Sequence, residues 1–451
     1  MKICELRLQN FRKFDDAVFR FNVDSGVTVL IGDNATGKTA LLEALSIMMG
    51  SYLLDFKAGV NRGISRDQVR LKQVKLGDTV SLEPQWAEGV RLTATGLLEA
   101  LTGEQSPVTW SRALHSEKGR TTRVEASEIA GIGREARHRV DKGEEVLLPV
   151  FGYYGTGRLW HLKQEVKLTK PESRVAGYRD CLDPASSHKL FLKWFAQLEQ
   201  ASFQKGEKYG VLEAVRQAVR TCIPDCKQLY FDIELQQLMI QLDEGQLFSF
   251  DNLSDGYRNM LAIVADIAHR AGRLNPQLTD RAALQTPGIV LIDEVDLHLH
   301  PKWQRRVMSD LRTAFPHVQF IVTTHSPFII QSLKPGEVID LNCDLPADTE
   351  SEQASPGPKN LFNDRSIEDI VEDVMGVKLP SRSRRFQKMY EVATEYYQLL
   401  DKVEGASEQE KASLRQQLDD LSAPYSEDVA YHAFLEMKRI KSGLGESGQG
   451  Q

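Results

Sequence analysis

A lysine and a threonine close a glycine-bounded octapeptide, Gly32-Asp33-Asn34-Ala35-Thr36-Gly37-Lys38-Thr39, and their types and spacing suit phosphate chemistry. The pattern is G-x4-G-K-[ST] in full. Gly32 and Gly37 let backbone amides curl around phosphate oxygens. Lys38 supplies a point charge for the terminal phosphates. The Thr39 hydroxyl is a hard oxygen ligand for Mg²⁺. The whole loop, with Asp33, Asn34, Ala35 and Thr36, reads as the cradle of a nucleoside triphosphate. Farther on, "GIVLIDE" (288–294) ends an apolar run in two acids, Asp293 and Glu294. Ligands gather at the carboxyl ends of strands in open parallel sheets. There Asp293 would hold the Mg²⁺ shell through water, and Glu294 would accept a proton from attacking water. His325 ends the next apolar run, "VQFIVTTHS" (318–326), where it would reach the terminal phosphate or the water. A lone histidine beside an apolar strand is more often structural, and paired acids can merely be solvated. The complete phosphate loop upstream weighs against both bland readings.

These side chains act together only if folded elements deliver them to one place. Residues 3–8, 17–23 and 27–31 alternate and are β-branched, as strands are. The loop follows the last of them directly, and "ALLEALSIMM" (40–49) then reads as a helix. In 51–145, "VRLTATGLL" and "SPVTWSRAL" read as strands and "EASEIAGIGREARHRV" as a helix, which together suggest an antiparallel lobe with loops. "EVLLPVFGYYG" (145–155) is a buried strand, and 188–222 has helical spacing through Leu190, Phe191, Trp194, Phe195 and Leu198. "QLYFDIELQQLMIQLDEGQLFSF" reads as three short strands. They lead into "DNLSDGYRNML" (251–261), where Ser254 suits a helix N-cap. Capping alone explains neither Leu253 nor Gly256. Strands alternating with helical segments predict an α/β fold with a mostly parallel sheet.

The predicted organisation has an ATPase domain at 1–343, with the antiparallel lobe at 51–150 and a helical subregion at 188–224. A linker, 344–365, contains the polar "DLPADTESEQASPGPK". A helical region, 366–441, serves partner docking or oligomerisation, and 442–451 is a disordered tail. Helices are expected at 385–403, 407–421 and 427–441. Their apolar stripes run through Phe386, Met389, Tyr390, Ala393, Tyr397 and Leu400, through Leu414, Leu418 and Leu421, and through Val429, His432, Leu435 and Met437.

The ordered set of motifs resembles the ABC-type P-loop ATPases. Gly32–Thr39 looks like Walker A, Leu253-Ser254-Asp255-Gly256 like the signature, and Asp293-Glu294 like Walker B. Asp296 looks like the D-loop and His325 like the H-switch. The resemblance implies ATP and Mg²⁺, and a head-to-tail homodimer that sandwiches ATP. Ser254, Asp255 and Gly256 would then face the γ-phosphate held by a second copy. A helix N-terminus offers free amides to an anion, which suits that role. Asp255 stands where a second Gly is usual and Tyr257 where Gln is common, as in the RecF/SMC-like branch. "LRLQNFRKF" (6–14) is similar to the N-terminal strand and turn of RecF-, SMC- and OLD-type ATPases, which would put Arg12 or Lys13 near the base or phosphates. "LIDEVDLHLHPKWQ" (291–304), "PVFGYYGTGRLW" (149–160) and "NLSDGYRNML" together resemble the PtuA ATPases of Septu anti-phage systems, including retron-associated ones. "YYGTGRLW" lies in the place of the Q-loop but lacks Gln, so Thr156 or Arg158 would take its part.

By this resemblance the chain is a sensor subunit that hydrolyses ATP, slowly, to ADP and phosphate and controls a separate HNH endonuclease resembling PtuB. It would form a homodimer or a higher homo-oligomer. DNA, or a retron reverse transcriptase with its msDNA, are further candidate partners. The alternative is a stand-alone DNA-repair ATPase like RecF. No nuclease signature, a strand-borne Glu followed by D-x-D, is legible in 340–451. Net charge is −7, from 56 Lys and Arg against 63 Asp and Glu, which argues against a wholly basic DNA-coating protein. The basic run "KLPSRSRRFQK" (378–388) can either track phosphates or be a solvated helix start. His298 and His300 form H-x-H, which can bind metal but more plausibly shapes the dimer seam. Five scattered cysteines fit reduced thiols. No apolar run is long enough to span a membrane, so a cytoplasmic protein is expected.

Overall fold

The structure is a computed structural model. It describes residues 1–56, 62–76, 79–99, 105–159, 173–184, 189–223, 225–342, 362, 364–376, 384–401, 407–425 and 429–441. An antiparallel hairpin, β1 (Lys2–Phe11) and β2 (Phe14–Arg20), precedes β3 (Val27–Ile31) and α1 (Lys38–Met49). Two more hairpins follow, β4 (Leu71–Leu76) with β5 (Thr79–Pro84) and β6 (Val90–Glu99) with β7 (Gln105–Leu114). Next come α2 (Ser127–Asp141), β8 (Val150–Tyr154), α3 (Lys189–Lys205) and α4 (Gly210–Cys222). A meander, β9 (Cys226–Asp232), β10 (Gln237–Leu242) and β11 (Leu247–Ser249), leads into α5 (Asp255–Leu274). Short α6 (Ala282–Gln285) precedes β12 (Gly288–Ile292), and α7 (Pro301–Gln304) and α8 (Val307–Ala314) precede β13 (Val318–Thr323). α9 (Pro327–Gln331), β14 (Val338–Asp340) and α10 (Ile367–Asp373) come after it, and the last helices are α11 (Arg384–Asp401), α12 (Glu408–Ser422) and α13 (Val429–Lys441).

Five strands pair in the order β14-β3-β13-β12-β8, all parallel. β3, β8, β12 and β13 are buried at every residue, as continuous apolar runs in a doubly covered parallel sheet must be. A second sheet, β2-β1-β6-β7, is wholly antiparallel. This is the expected α/β core, a mostly parallel sheet accompanied by an antiparallel lobe. The lobe draws in the N-terminal strands, and β2 starts three residues before the expected 17–23. The reason is a tight turn, in which Asn10 and Arg12 take left-handed φ values of 57° and 52°. The two sheets are stitched by one buried side chain. Gln319 of β13 donates to the Ile3 carbonyl and accepts from the Ile3 amide, both at 2.8 Å, where a register shift interrupts the pairing of β1 with β6.

α5 crosses the interior and carries a buried charge cluster. Asp266 Oδ2 accepts from the Tyr154 hydroxyl at 2.8 Å and from Arg270 Nε at 2.7 Å. The Arg270 guanidinium also donates to the carbonyls of Gly177 and Arg179. Burial opposes ionisation of Asp266, but Arg270 and His269 outweigh it and hold the carboxyl well below its usual range. Asp266→Ala is expected to cost about 3–5 kcal/mol, because it leaves Arg270 buried and uncompensated. A folded-state pKa below the unfolded value means the contribution is complete above about pH 4 and fades only as pH falls further. Urea unfolding at pH 7 checks this, and a loss under about 1 kcal/mol would show the cluster to be dispensable.

The chain divides into two compact units, Met1–Ile370 and Val371–Gln451. Of the expected linker 344–365, only Phe362, Asp364 and Arg365 are described; Phe362 is buried and the Arg365 carbonyl accepts from Gln331. The expected tail, 442–451, lies outside the described residues. In the second unit Tyr396, Leu400, Leu418 and Leu435 form a core, with Ala393, Leu414 and Leu421 against it. Amphipathic helices this short need such a partner face. The buried ring is Tyr396, one residue from the expected Tyr397, whose side chain lies outside the described residues, as do those of Phe386, Tyr390, Val429 and His432. Met437 is exposed. Among the described residues no helix is long and apolar enough to cross a membrane, and Cys4, Cys181, Cys222 and Cys226 are free thiols.

Candidate nucleotide-binding site

The loop after β3 is shaped by glycine. Gly32 and Gly37 have φ of 141° and 97°, and a Cβ on Gly37 would lie 2.6 Å from the Phe14 ring. Ala35 also sits in the left-handed region, at φ 66°, so the turn is tight throughout. Lys38 is buried inside the curl. Its ammonium donates to the carbonyls of Gly32 at 2.7 Å and Asp33 at 2.8 Å. Burial pulls its pKa down from the ordinary lysine range, against the opposing pull of Asp293 and Asp33. The Thr36 hydroxyl donates to the Asp33 carbonyl at 2.9 Å.

Asp293 and Glu294 leave the end of β12 beside this loop. Thr39 Oγ1 donates to Asp293 Oδ2 at 2.9 Å, so two residues 254 apart in sequence meet. Asp293 is itself buried, and its other oxygen accepts from the Thr323 hydroxyl at 2.6 Å. That hydroxyl also accepts the Glu294 amide, at 2.7 Å. Glu294 holds a left-handed φ of 49°, a conformation that non-glycine residues keep only when their surroundings impose it. His325 follows β13 and is exposed. Asn34 to Thr39, Asp293, Glu294 and His325 line one pocket of about 610 Å³, with Arg12 and Lys13 on its wall. Arg12 is paired to Glu43 at 3.0 Å and Asp67 at 3.2 Å, and the Lys13 ammonium lies 5.6 Å from the Phe14 ring centre. Gly32 and Asp33 stand behind the wall and hold Lys38.

The remaining motif residues are not on that wall. Ser254 occupies the N-cap position of α5 with extended backbone, but its hydroxyl makes no capping bond and the residue is exposed. Asp255 pairs with Arg258 at 2.5 Å. Gly256 is buried under the segment that follows β12, where a Cβ would come 2.5 Å from the His298 carbonyl. Asn259 donates to the Leu297 carbonyl at 3.0 Å, and the Tyr257 and Trp303 rings meet edge to face at 4.4 Å. Asp296 accepts from the Thr324 hydroxyl at 2.6 Å. His300 caps α7, accepting from the Lys302 amide. Among the described residues no His, Cys, Asp and Glu cluster could hold a metal ion by itself. Thr156 is exposed in a turn, Thr156–Leu159, after β8; the Arg158 side chain lies outside the described residues. So does most of the basic run 378–388.

Several residues around the site escape sequence reasoning. Thr323 and Thr324 orient Glu294, Asp293 and Asp296, yet in the sequence they are only strand residues before a histidine. Glu43 of α1, and Asp67, Val69 and Leu71 from the turn Arg66–Gln68 into the start of β4, reach the pocket or its arginine. No residue-type signal marks them.

A protein-family model described as "AAA domain" matches residues 5–227. A second, "AAA domain, putative AbiEii toxin, Type IV TA system", matches 133–331. The chain is 23% identical over 397 residues to "Retron Vc95 probable ATPase" of Vibrio cholerae serotype O1 biovar El Tor, covering 76% of this chain and 74% of that protein. It is 24% identical over 400 residues to "Retron Ec83 probable ATPase" of Escherichia coli, covering 74% and 70%. It is 31% identical over 164 residues to "Septu protein PtuA" of Bacillus thuringiensis, covering 36% of this chain and 40% of that one. Among solved structures, an SMC head bound to the C-winged helix domain of ScpA aligns with 75% of this chain and 94% of its own at 16% identity, with a TM-score of 0.44.

Proposed function

We propose that this chain, a homologue of the retron ATPases and of Septu PtuA, binds and hydrolyses ATP in a head-to-tail dimer and thereby governs a separate HNH endonuclease. One observation carries the catalytic part. The phosphate-loop threonine and the strand-end aspartate lie within hydrogen-bond reach, beside Lys38, Glu294 and His325 in one pocket. Held on the Gly32 and Asp33 carbonyls, Lys38 would present its ammonium to the terminal phosphates. Glu294 would take the proton of the attacking water, and His325 would contact the terminal phosphate.

The donor set also suits Mg²⁺. Thr39 and Asp293 present a hydroxyl and a carboxylate side by side, and Mg²⁺ prefers hard oxygen ligands while keeping several waters. When bound, the ion would offset negative charge on the phosphates. Arg12 and Lys13 on the wall would sit near the base or phosphates.

The dimer is supported by the signature residues. Ser254 is exposed at a helix N-terminus with a hydroxyl free of any capping bond, and it lies away from the pocket of its own chain. A second copy would supply the anion it suits. Thr156 or Arg158, following the strand beside Asp293, would take the part of the missing glutamine.

The nuclease-control reading rests on the relatives' kind and on a C-terminal unit with a core of its own. Truncation after Gly376 tests it, because that cut keeps the buried Phe362 and Ile370. The shortened chain should still bind ATP but lose both co-purification of the nuclease and anti-phage protection. If it still brought down the nuclease at full stoichiometry, docking would lie in residues 51–150 instead.

A further inference from the structure

We infer that Asn342 is a positioning residue for the phosphate loop, acting on Lys38 through a single peptide group; this rests on the reading of the pocket as an ATP site. The Asp33 amide donates to Asn342 Oδ1 at 2.9 Å. The carbonyl of the same peptide, that of Gly32, accepts from Lys38 at 2.7 Å. No peptide bond in the described chain is cis, so these two groups point opposite ways across one rigid plane. Asn342 therefore holds the outer side of the plane and Lys38 the inner side.

The plane needs holding because it follows a glycine. Gly32 sits at φ 141°, and glycine moves between positive and negative φ at little cost. Rotation of the peptide would turn the Gly32 carbonyl away from Lys38 and toward the Asn342 oxygen, where two acceptors repel. Asn342 is itself anchored. The Leu341 amide donates to the Ile31 carbonyl at 3.0 Å, and the Asn342 amide donates to Asp340 at 2.9 Å. The parallel pairing of β14 with β3 thus carries the acceptor to the loop. A Cβ on Gly32 would lie 3.3 Å from the Asn342 oxygen and 2.8 Å from the Thr36 hydroxyl, so the site leaves room for glycine alone. The Asp33 amide is thereby committed to the protein and not to a phosphate.

The test is a double-mutant cycle read by titration of the full chain with ATP and Mg²⁺. Asn342→Leu keeps the size but cannot accept the amide, and it should weaken ATP binding about tenfold without lowering the melting temperature. In a Lys38→Ala background the same change should have no further effect, since the group it positions is gone. Wild-type affinity for Asn342→Leu, or a loss that multiplies with that of Lys38→Ala, would overturn the inference. Lys38→Ala binding ATP like the wild type would instead overturn the reading of the pocket. If Asn342→Leu proves too unstable to assay, Asn342→Ala completes the same cycle with the same expected outcomes.

Discussion

Glu294→Gln should bind ATP but turn it over about 10²–10⁴-fold more slowly, the usual cost of removing a positioned base. The substitution exchanges one oxygen for an amide nitrogen and keeps the side-chain shape. The backbone should hold as well. Its left-handed φ is fixed by the Thr323 hydroxyl on the Glu294 amide, and Thr323 is tied in turn to Asp293. Lys38, Thr39 and Asp293 are untouched, so the affinity for ATP should stay near that of the wild type. Phosphate release and nucleotide titration on the same preparation separate the two effects. Turnover at the wild-type rate would remove Glu294 from the role of base. A matching collapse of ATP affinity would mean that the residue shapes the pocket rather than the reaction.

Two inactive variants should restore activity when combined. Ser254→Arg places a long cation at the exposed N-terminus of α5. Lys38→Ala removes the charge inside the loop. In a head-to-tail dimer each active site takes its loop from one chain and its signature from the other. Each homodimer then has two spoiled sites, whereas the mixed dimer has one intact site and one doubly spoiled site. Random pairing in a closed dimer gives about a quarter of wild-type turnover if the sites act independently. Recovery above both parents is the expected result. No recovery, with mixed dimers demonstrated by mass, would sink the shared site.

The parts of the fold legible in the sequence are those whose signal is local. The phosphate loop is eight consecutive residues, and β12 and β13 are apolar runs ended by polar groups. The function of Thr323 is different in kind. It depends on the parallel register that sets Ile292 beside Val322, which no short window contains. The Asp266–Arg270–Tyr154 cluster is hidden for a related reason. Asp266 and Arg270 are four apart on a helix and read as an ordinary surface pair. Their burial follows from α5 crossing the interior, and Tyr154 reaches them from a strand 112 residues away. The β4–β5 hairpin, within the span read only as lobe and loops, exposes Leu71, Val80 and Leu82, and so lacks the half-buried alternation that marks a strand. Ser254 shows the converse limit. Its residue type suggests a helix cap, and only the geometry shows the hydroxyl unspent.

The Gln319 stitch sets a timetable for biosynthesis. Its partner Ile3 is 316 residues earlier, and a ribosome adding about 5–20 residues per second needs roughly 15–60 s to bridge that gap. Throughout that interval both backbone groups of Ile3 lack the side chain that completes them. Thr39 likewise waits 254 residues for Asp293. The lobe can pair its own strands early, since β1, β2, β6 and β7 are all made within the first 114 residues. The parallel sheet cannot close until β13 leaves the exit tunnel. A truncated product released before Gln319 would lack the strand that lies between β3, which carries the phosphate loop, and β12, which carries Asp293.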